Sequence, residues 1–188
     1  MHQSMASFAS STEVTGPKMR SMVVLGGRLR MAPLRRLNLE SAQTEPDPTD
    51  PPGYRSSMNR FGPSIGAKRL GGSVYDIPPG QSICPYHYEW GDEEWLVVLD
   101  GTATVRHPDG EEDVARGDVA CFPPGPDGAH KVTNKTDEPL RVLMVSTLDE
   151  VGVAVYPDSD KVGVYPAGAT EGQLFRQGTA VDYWDGEA

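Results

Sequence analysis

The chain reads as an all-β protein, an antiparallel barrel or sandwich of short strands with few or no long helices. Three observations predict this. Its 188 residues include 21 Gly and 17 Pro, which cut the sequence into short runs. Those runs are apolar or alternate with period two, and they recur at even spacing between turn signals. No apolar stretch keeps the 3.6-residue period over the roughly 12 residues that a stable helix needs.

Taken in order, Ser73–Ile77 is the first expected strand, before the turn at Pro78-Pro79-Gly80. Glu94–Leu99 (EWLVVL) is a buried strand closed by Asp100-Gly101. Thr102–His107 alternates, Pro108-Asp109-Gly110 turns the chain, and Glu111–Ala115 returns. Arg116-Gly117-Asp118 makes the next turn before Val119–Phe122. Ala129–Asn134 and Leu140–Thr147 follow, separated by Lys135–Pro139. Beyond Val151, two more short strands fit "VGVAVYPDSDKVGVYPAG", and the polar end carries Phe175, Tyr183 and Trp184. Such aromatic surface is expected to be docked rather than free.

The organisation expected is a disordered or extended tail and linker over residues 1–53, a barrel over 54–156 and a C-terminal arm over 157–188. The Pro-rich "SAQTEPDPTDPPG" marks the first boundary. Residues 1–38 hold six basic side chains against Glu13, so net +5 there leaves −15 for the rest of a chain at −10. This Arg-rich start resembles a transit peptide in composition. A tail, or a start at Met19, Met22 or Met31, accounts for it as well.

The acidic balance excludes a nucleic-acid partner, since no basic face is available to displace counterions from phosphate. It also disfavours anionic membranes, and no apolar run approaches the roughly 20 residues of a membrane span. The two cysteines, Cys84 and Cys121, are far apart and in no CxxC pattern, so both are expected as free thiols in a reducing, cytoplasmic setting.

The chemistry concentrates in "CPYHYEWGDEEW", Cys84–Trp95. In an extended segment His87 and Glu89 share a face, roughly 7 Å apart, and Tyr88 faces the other way. A turn at Trp90–Asp92 would bring a strand starting at Glu94 back alongside, with Glu93 pointing outward if Glu94 points in. Imidazole nitrogen with carboxylate oxygen suits divalent Mn, Fe, Ni, Co or Zn. Of the four histidines, His2 lies in the tail and His107 at a hairpin tip, which leaves His130 to complete the set.

The sequence resembles the cupin superfamily. Gly80, His87, Glu89, Glu94 and Gly101 fill its first motif, and Gly117, Pro123, Gly125, His130 and Asn134 its second. Six residues separate Gly80 from His87 where the pattern has five, and four separate Gly125 from His130 where it has two. Glu89 stands where the pattern has a second histidine.

The resemblance implies a jelly-roll barrel and a divalent metal (Mn, Fe, Ni or Zn) held by His87, Glu94, His130 and Glu89. Without Glu89, two histidines and one carboxylate still make a facial set with open positions. Tyr86 and Glu89 are the candidates for proton transfer. The function implied is a metal-binding cupin, as a small metalloenzyme of dioxygenase, isomerase or decarboxylase type on a small oxygenated molecule. A non-catalytic small-molecule sensor and a structural dimer with a vestigial site are the alternatives. A homodimer with docked or exchanged arms is expected.

Overall fold

The computed structural model describes residues 22–25, 28–31, 33–166 and 172–187. The expected tail up to residue 21, with His2 and Met19, lies outside them. The chain divides into two units, Met1–Leu34 and Arg35–Ala188. In the first, β1 (Met22–Leu25) and β2 (Arg28–Met31) form an antiparallel hairpin.

The second unit is built from antiparallel strands, and no α-helix occurs among the described residues. Its strands are β3 (Glu45–Pro46), β4 (Ser57–Arg60), β5 (Leu70–Ile77), β6 (Tyr88–Glu89), β7 (Glu94–Asp100), β8 (Thr102–His107) and β9 (Gly110–Ala115). They continue with β10 (Val119–Phe122), β11 (Lys131–Thr133), β12 (Leu140–Thr147), β13 (Val151–Tyr156), β14 (Lys161–Pro166) and β15 (Gln173–Arg176). One sheet runs β10-β7-β12-β5-β4-β3, a second β11-β8-β9, and a third β15-β14-β13-β6. The architecture is that of a jelly roll.

Alternation along β7 decides which side is core. Leu96 and Val98 point inward and are buried, while Trp95 faces out. They join Ile77, Ala103, Val105, Phe122, Val132, Leu140 and Val142 in one cluster drawn from both main sheets. Every member is aliphatic or phenyl, so no polar atom is buried there without a partner.

Gly101 makes the tight β7–β8 turn possible. Its φ of 85° is costly for other residues, and a Cβ would stand 2.8 Å from the Pro139 carbonyl oxygen. Asn134 closes the far end from a fully buried position. Its amide donates to the Ile77 and Glu138 carbonyls and its oxygen accepts from Thr136.

Residues 35–53 turn at 39–41, 48–49 and 52–53 and join the large sheet only through β3. β3 pairs with β4, and Arg141 on β12 reaches across to donate to the Leu39 and Ala42 carbonyls and to Asp76.

One expected pairing is corrected. The segment at His87–Glu89 does not fold back on β7. β6 pairs with β13, while β7 lies between β10 and β12. The intervening corner is pinned elsewhere: the Asp92 carboxylate accepts from the Thr147 hydroxyl and from the Asp149 amide. With β7 already hydrogen-bonded along both edges, no edge is left for residues 86–89.

Candidate metal centre

Three side chains from three separate segments meet inside the barrel. Glu94 opens β7 on the inward-facing side, in phase with Leu96 and Val98. His87 and His130 sit opposite one another in a bridge between two otherwise irregular segments. Their nearest donor atoms lie within 4.8 Å of one another. Glu94 Oε2 is 3.7 Å from His87 Nε2 and 3.5 Å from His130 Nε2. An ion with bonds of about 2.1 Å needs donors about 3.0–3.4 Å apart, so the two Glu94 distances are a few tenths of an ångström long, and the imidazole nitrogens, within 4.8 Å of each other, would draw in around the ion.

The imidazoles are oriented before any ion arrives. His87 Nδ1 is 3.0 Å from the Pro85 carbonyl oxygen, and His130 Nδ1 is 2.9 Å from that of Gly128. A carbonyl only accepts, so each Nδ1 carries the proton and each Nε2 offers its lone pair toward Glu94. Gly128 has to be glycine for its carbonyl to reach this place, because a Cβ there would overlap the Pro123 backbone.

Each ring is also held on its face. Phe122 lies parallel to His130 with centroids 3.7 Å apart, and Tyr156 stacks on His87 at 5.8 Å. The Tyr156 hydroxyl is hydrogen-bonded to that of Tyr165 at 2.8 Å.

Burial sets the protonation of the group. It holds His130 down to about 3, helped by neighbouring His87, and it lowers His87 as well. Both imidazoles are therefore neutral ligands. Burial, with the charge of Asp92, pushes the Glu94 carboxyl up to about 7.

Glu89 stands beside this group without joining the three converging donors. It lies on β6, and its carboxyl is raised by burial, by the Glu94 charge and by Asp92. Glu93 is exposed and accepts from the Trp95 indole, on the outer side as expected. Tyr86 is buried, with the Arg106 guanidinium 3.9 Å above its ring.

A cavity of about 200 Å³ opens on the three donors, lined also by Tyr75, Ile83, Cys84, Val132 and Met144. The phenol in it is Tyr75, which no motif singles out. Its place follows from β5 alternation, in phase with the buried Ile77. Cys84 is a free thiol, which burial pushes up to about 12. It acts there as wall rather than nucleophile.

Neutral imidazoles and one carboxylate, aimed at a common point and backed by carbonyls, fit a divalent ion of the Mn, Fe, Ni or Zn kind. They do not fit a thiolate-seeking ion, because no thiol is among the three converging donors.

A cupin domain model matches residues 73–146. No curated protein matches the sequence. Among solved structures, the chain is similar to a protein of Acidithiobacillus ferrooxidans named, provisionally, a sugar phosphate isomerase. The identity is 24% and the TM-score 0.70, over 79% of this chain and 96% of the other. It is also similar to a sugar phosphate isomerase from a cupin superfamily, from Silicibacter pomeroyi. There the identity is 25% and the TM-score 0.67, over 80% of this chain and 98% of the other. The domain match and the fold agree: residues 73–146 match the cupin domain, and the strands that carry them form a jelly roll like that of these neighbours.

Proposed function

We propose that the chain binds a divalent metal ion through His87, Glu94 and His130, with Glu89 as a fourth and more distant donor, and isomerises a short sugar-phosphate-like hydroxycarbonyl compound. The observation that carries this reading is the convergence of two imidazole lone pairs on one Glu94 oxygen at the floor of a cavity. The name of the Silicibacter pomeroyi neighbour supports the substrate class.

A bound ion would supply Lewis acidity to a carbonyl or hydroxyl oxygen. The protein's own residues do the rest. Ile83, Val132 and Met144 keep water from the reacting carbons. Tyr75, protonated up to about 12, offers a hydroxyl donor inside the cavity. Glu89 lies on β6 two residues from His87 and carries a proton readily near neutral pH. Isomerisation of a hydroxycarbonyl moves one proton between neighbouring carbons and one between their oxygens and needs no oxidant, so Glu89 and Tyr75 supply the two places its protons need.

A second reading, binding without turnover, rests on the cavity. At about 200 Å³ it is smaller than the roughly 300–1,000 Å³ of ordinary ligand pockets. The same smallness limits a substrate to a short carbon chain.

The test is elemental analysis of protein purified without an affinity metal, followed by NMR of triose and tetrose phosphates with the loaded protein. About one ion per chain, and an aldose–ketose interconversion lost in Glu94→Gln, is the expected result. Stoichiometric metal without conversion leaves the binding reading, and no metal after reconstitution overturns both.

A further inference from the structure

The cavity over the three donors has no lysine or arginine in its wall. Asp92 and Glu89 add negative charge beside Glu94, so its floor is acidic. A phosphate monoester carries a charge of about −1.5 to −2 at neutral pH. Such a group is repelled by the acids of the floor and needs a cation farther out.

Strand register places one there. On β12, Met144 lines the cavity and stands between Leu96 on β7 and Ser73 on β5. Ser73 in turn is opposite Arg60 on β4. Leu96, Met144, Ser73 and Arg60 therefore form one cross-strand row on the inner face of the large sheet. The neighbouring row on that face holds Tyr75, opposite Met58. Arg60 is the last residue of β4 and is exposed, the position of a group at an opening rather than in a core. Burial raises the Tyr75 phenol to about 12, and the Arg60 charge and the Ser73 hydroxyl act against that rise, so both stand near the phenol that lines the cavity.

Arg60 is also free to take an anion. The ion pairs of lysine and arginine among the described residues involve Arg106, Arg116, Lys135 and Arg141. Glu45, opposite Met58 on β4, makes no ion pair with Arg60. Arg106, Arg141, Lys131 and Lys161, on other strands, are already engaged with Asp158, Asp76, the Tyr54 hydroxyl and the Tyr156 ring. The span is right as well. β4 lies three strand spacings from β7, about 14 Å. Arg60 and Glu94 reach inward from the two ends, and what is left suits the short carbon chain that the cavity admits.

We infer that Arg60, assisted by the Ser73 hydroxyl, holds the phosphate of a substrate whose hydroxycarbonyl end lies over His87, Glu94 and His130. This rests on the isomerase reading and assigns its specificity. A guanidinium meets two phosphate oxygens in a bidentate fork, and a serine hydroxyl adds one more donor. A free sugar offers Arg60 only a neutral hydroxyl at that end, so this residue separates the sugar phosphate from the sugar. Tyr75 stands between the two ends, where the reacting carbons lie.

The test uses 3-phosphoglycerate and glycerate, which present the same α-hydroxycarboxylate to the three donors and differ in the phosphate. Titration calorimetry of the zinc-loaded full chain is expected to show 3-phosphoglycerate bound at least about tenfold more tightly. The preference should vanish in Arg60→Gln and survive in part in Arg60→Lys. Glycerate should bind wild type and variants alike, and their melting temperatures should agree because the side chain is exposed. The same Arg60-dependent preference is expected at weaker affinity in the metal-free chain, so a failure of zinc loading does not remove the test. A wild type that does not distinguish the two ligands overturns the proposal, as does one that binds 3-phosphoglycerate in neither form. A preference that persists in Arg60→Gln puts the phosphate on another cation and overturns it too. The isomerase reading fails separately, through absence of aldose–ketose turnover in a protein that still selects 3-phosphoglycerate through Arg60.

Discussion

His87 and His130 are bonded to each other through their backbones. The His87 amide donates to the His130 carbonyl at 3.1 Å, and the His130 amide donates to the His87 carbonyl at 2.8 Å. This pair of bonds fixes two residues 43 positions apart as direct cross-strand neighbours, with their ring centroids 4.7 Å apart. Neither segment belongs to a long strand at this point. The bridge, rather than a ladder, sets the spacing of the two Nε2 atoms.

Loss of Glu94 should abolish tight metal binding and at the same time relieve the empty site. A carboxyl raised from 4.5 to about 7 binds its proton more strongly folded than unfolded. Stability is therefore lost as pH rises between those values, by on the order of 3 kcal/mol. Metal-free Glu94→Gln is expected to melt higher than the metal-free wild type at pH 8, with the gap closing toward pH 4.5. Calorimetric scans of both at the two pH values check this. A variant that melts lower at pH 8 contradicts it.

Metal affinity should depend on pH in one direction. The Glu94 proton, held up to about 7, must leave before the carboxylate can bind. The two imidazoles, both depressed, add no comparable requirement above their ordinary 6.5. Apparent affinity is expected to fall at least about tenfold for each pH unit below about 7, with roughly one proton released from Glu94 per ion bound and a second where Glu89 also ligates. Titration calorimetry in buffers of different ionisation enthalpy measures that proton count.

Removing Glu89 should weaken binding, by about tenfold, where removing His130 or Glu94 costs at least about a hundredfold. Metal titrations of Glu89→Gln, His130→Gln and Glu94→Gln rank the three. Equal losses would put Glu89 on the same footing as the three convergent donors.

The faces of the two rings give a separate prediction. Phe122 is both core and support for His130, so Phe122→Leu keeps most of the buried volume and removes the parallel ring. The expected result is a metal affinity lower by about 10-fold with a stability loss of about 1 kcal/mol. A cobalt-loaded protein whose visible spectrum is unchanged by Phe122→Leu would show that the stack does not orient the ligand.

Arg141 ties the turn before β3 to the barrel. It donates to the carbonyls of Leu39 and Ala42 and to both oxygens of Asp76. Arg141→Ala leaves those carbonyls without a donor and is expected to cost about 2–4 kcal/mol. Hydrogen exchange should rise first at residues 39–46 and leave β7 protected. Uniform loss of protection across the fold would mean that the clamp is not local.

Much of the barrel is legible because its strands end where glycine and proline require it. β8, β10 and β12 have the bounds that alternation predicts, Thr102–His107, Val119–Phe122 and Leu140–Thr147. β5 starts earlier than expected, at Leu70, because Gly71 and Gly72 read as loop although both lie within the paired strand. β11 is shorter than Ala129–Asn134, since residues 126–128 form a 3₁₀ turn and His130 enters a bridge instead of a ladder. β4, Ser57–Arg60, has no apolar alternation and is made a strand by its neighbours β3 and β5.

By itself, the sequence determined an all-β chain with a cupin pair of motifs, and offered His87, Glu89, Glu94 and His130 as the residues to bring together, of which the first, third and fourth converge. Strand periodicity and turn chemistry are local, so they assign each side chain a face without reference to the rest of the molecule. Only the tertiary structure decided which faces meet. It placed β6 against β13 instead of β7, set Phe122 on one imidazole and Tyr156 on the other, and put Tyr75 in the cavity. Those contacts join strands tens of residues apart, and they depend on inter-strand register and sheet curvature, which leave no period in the sequence.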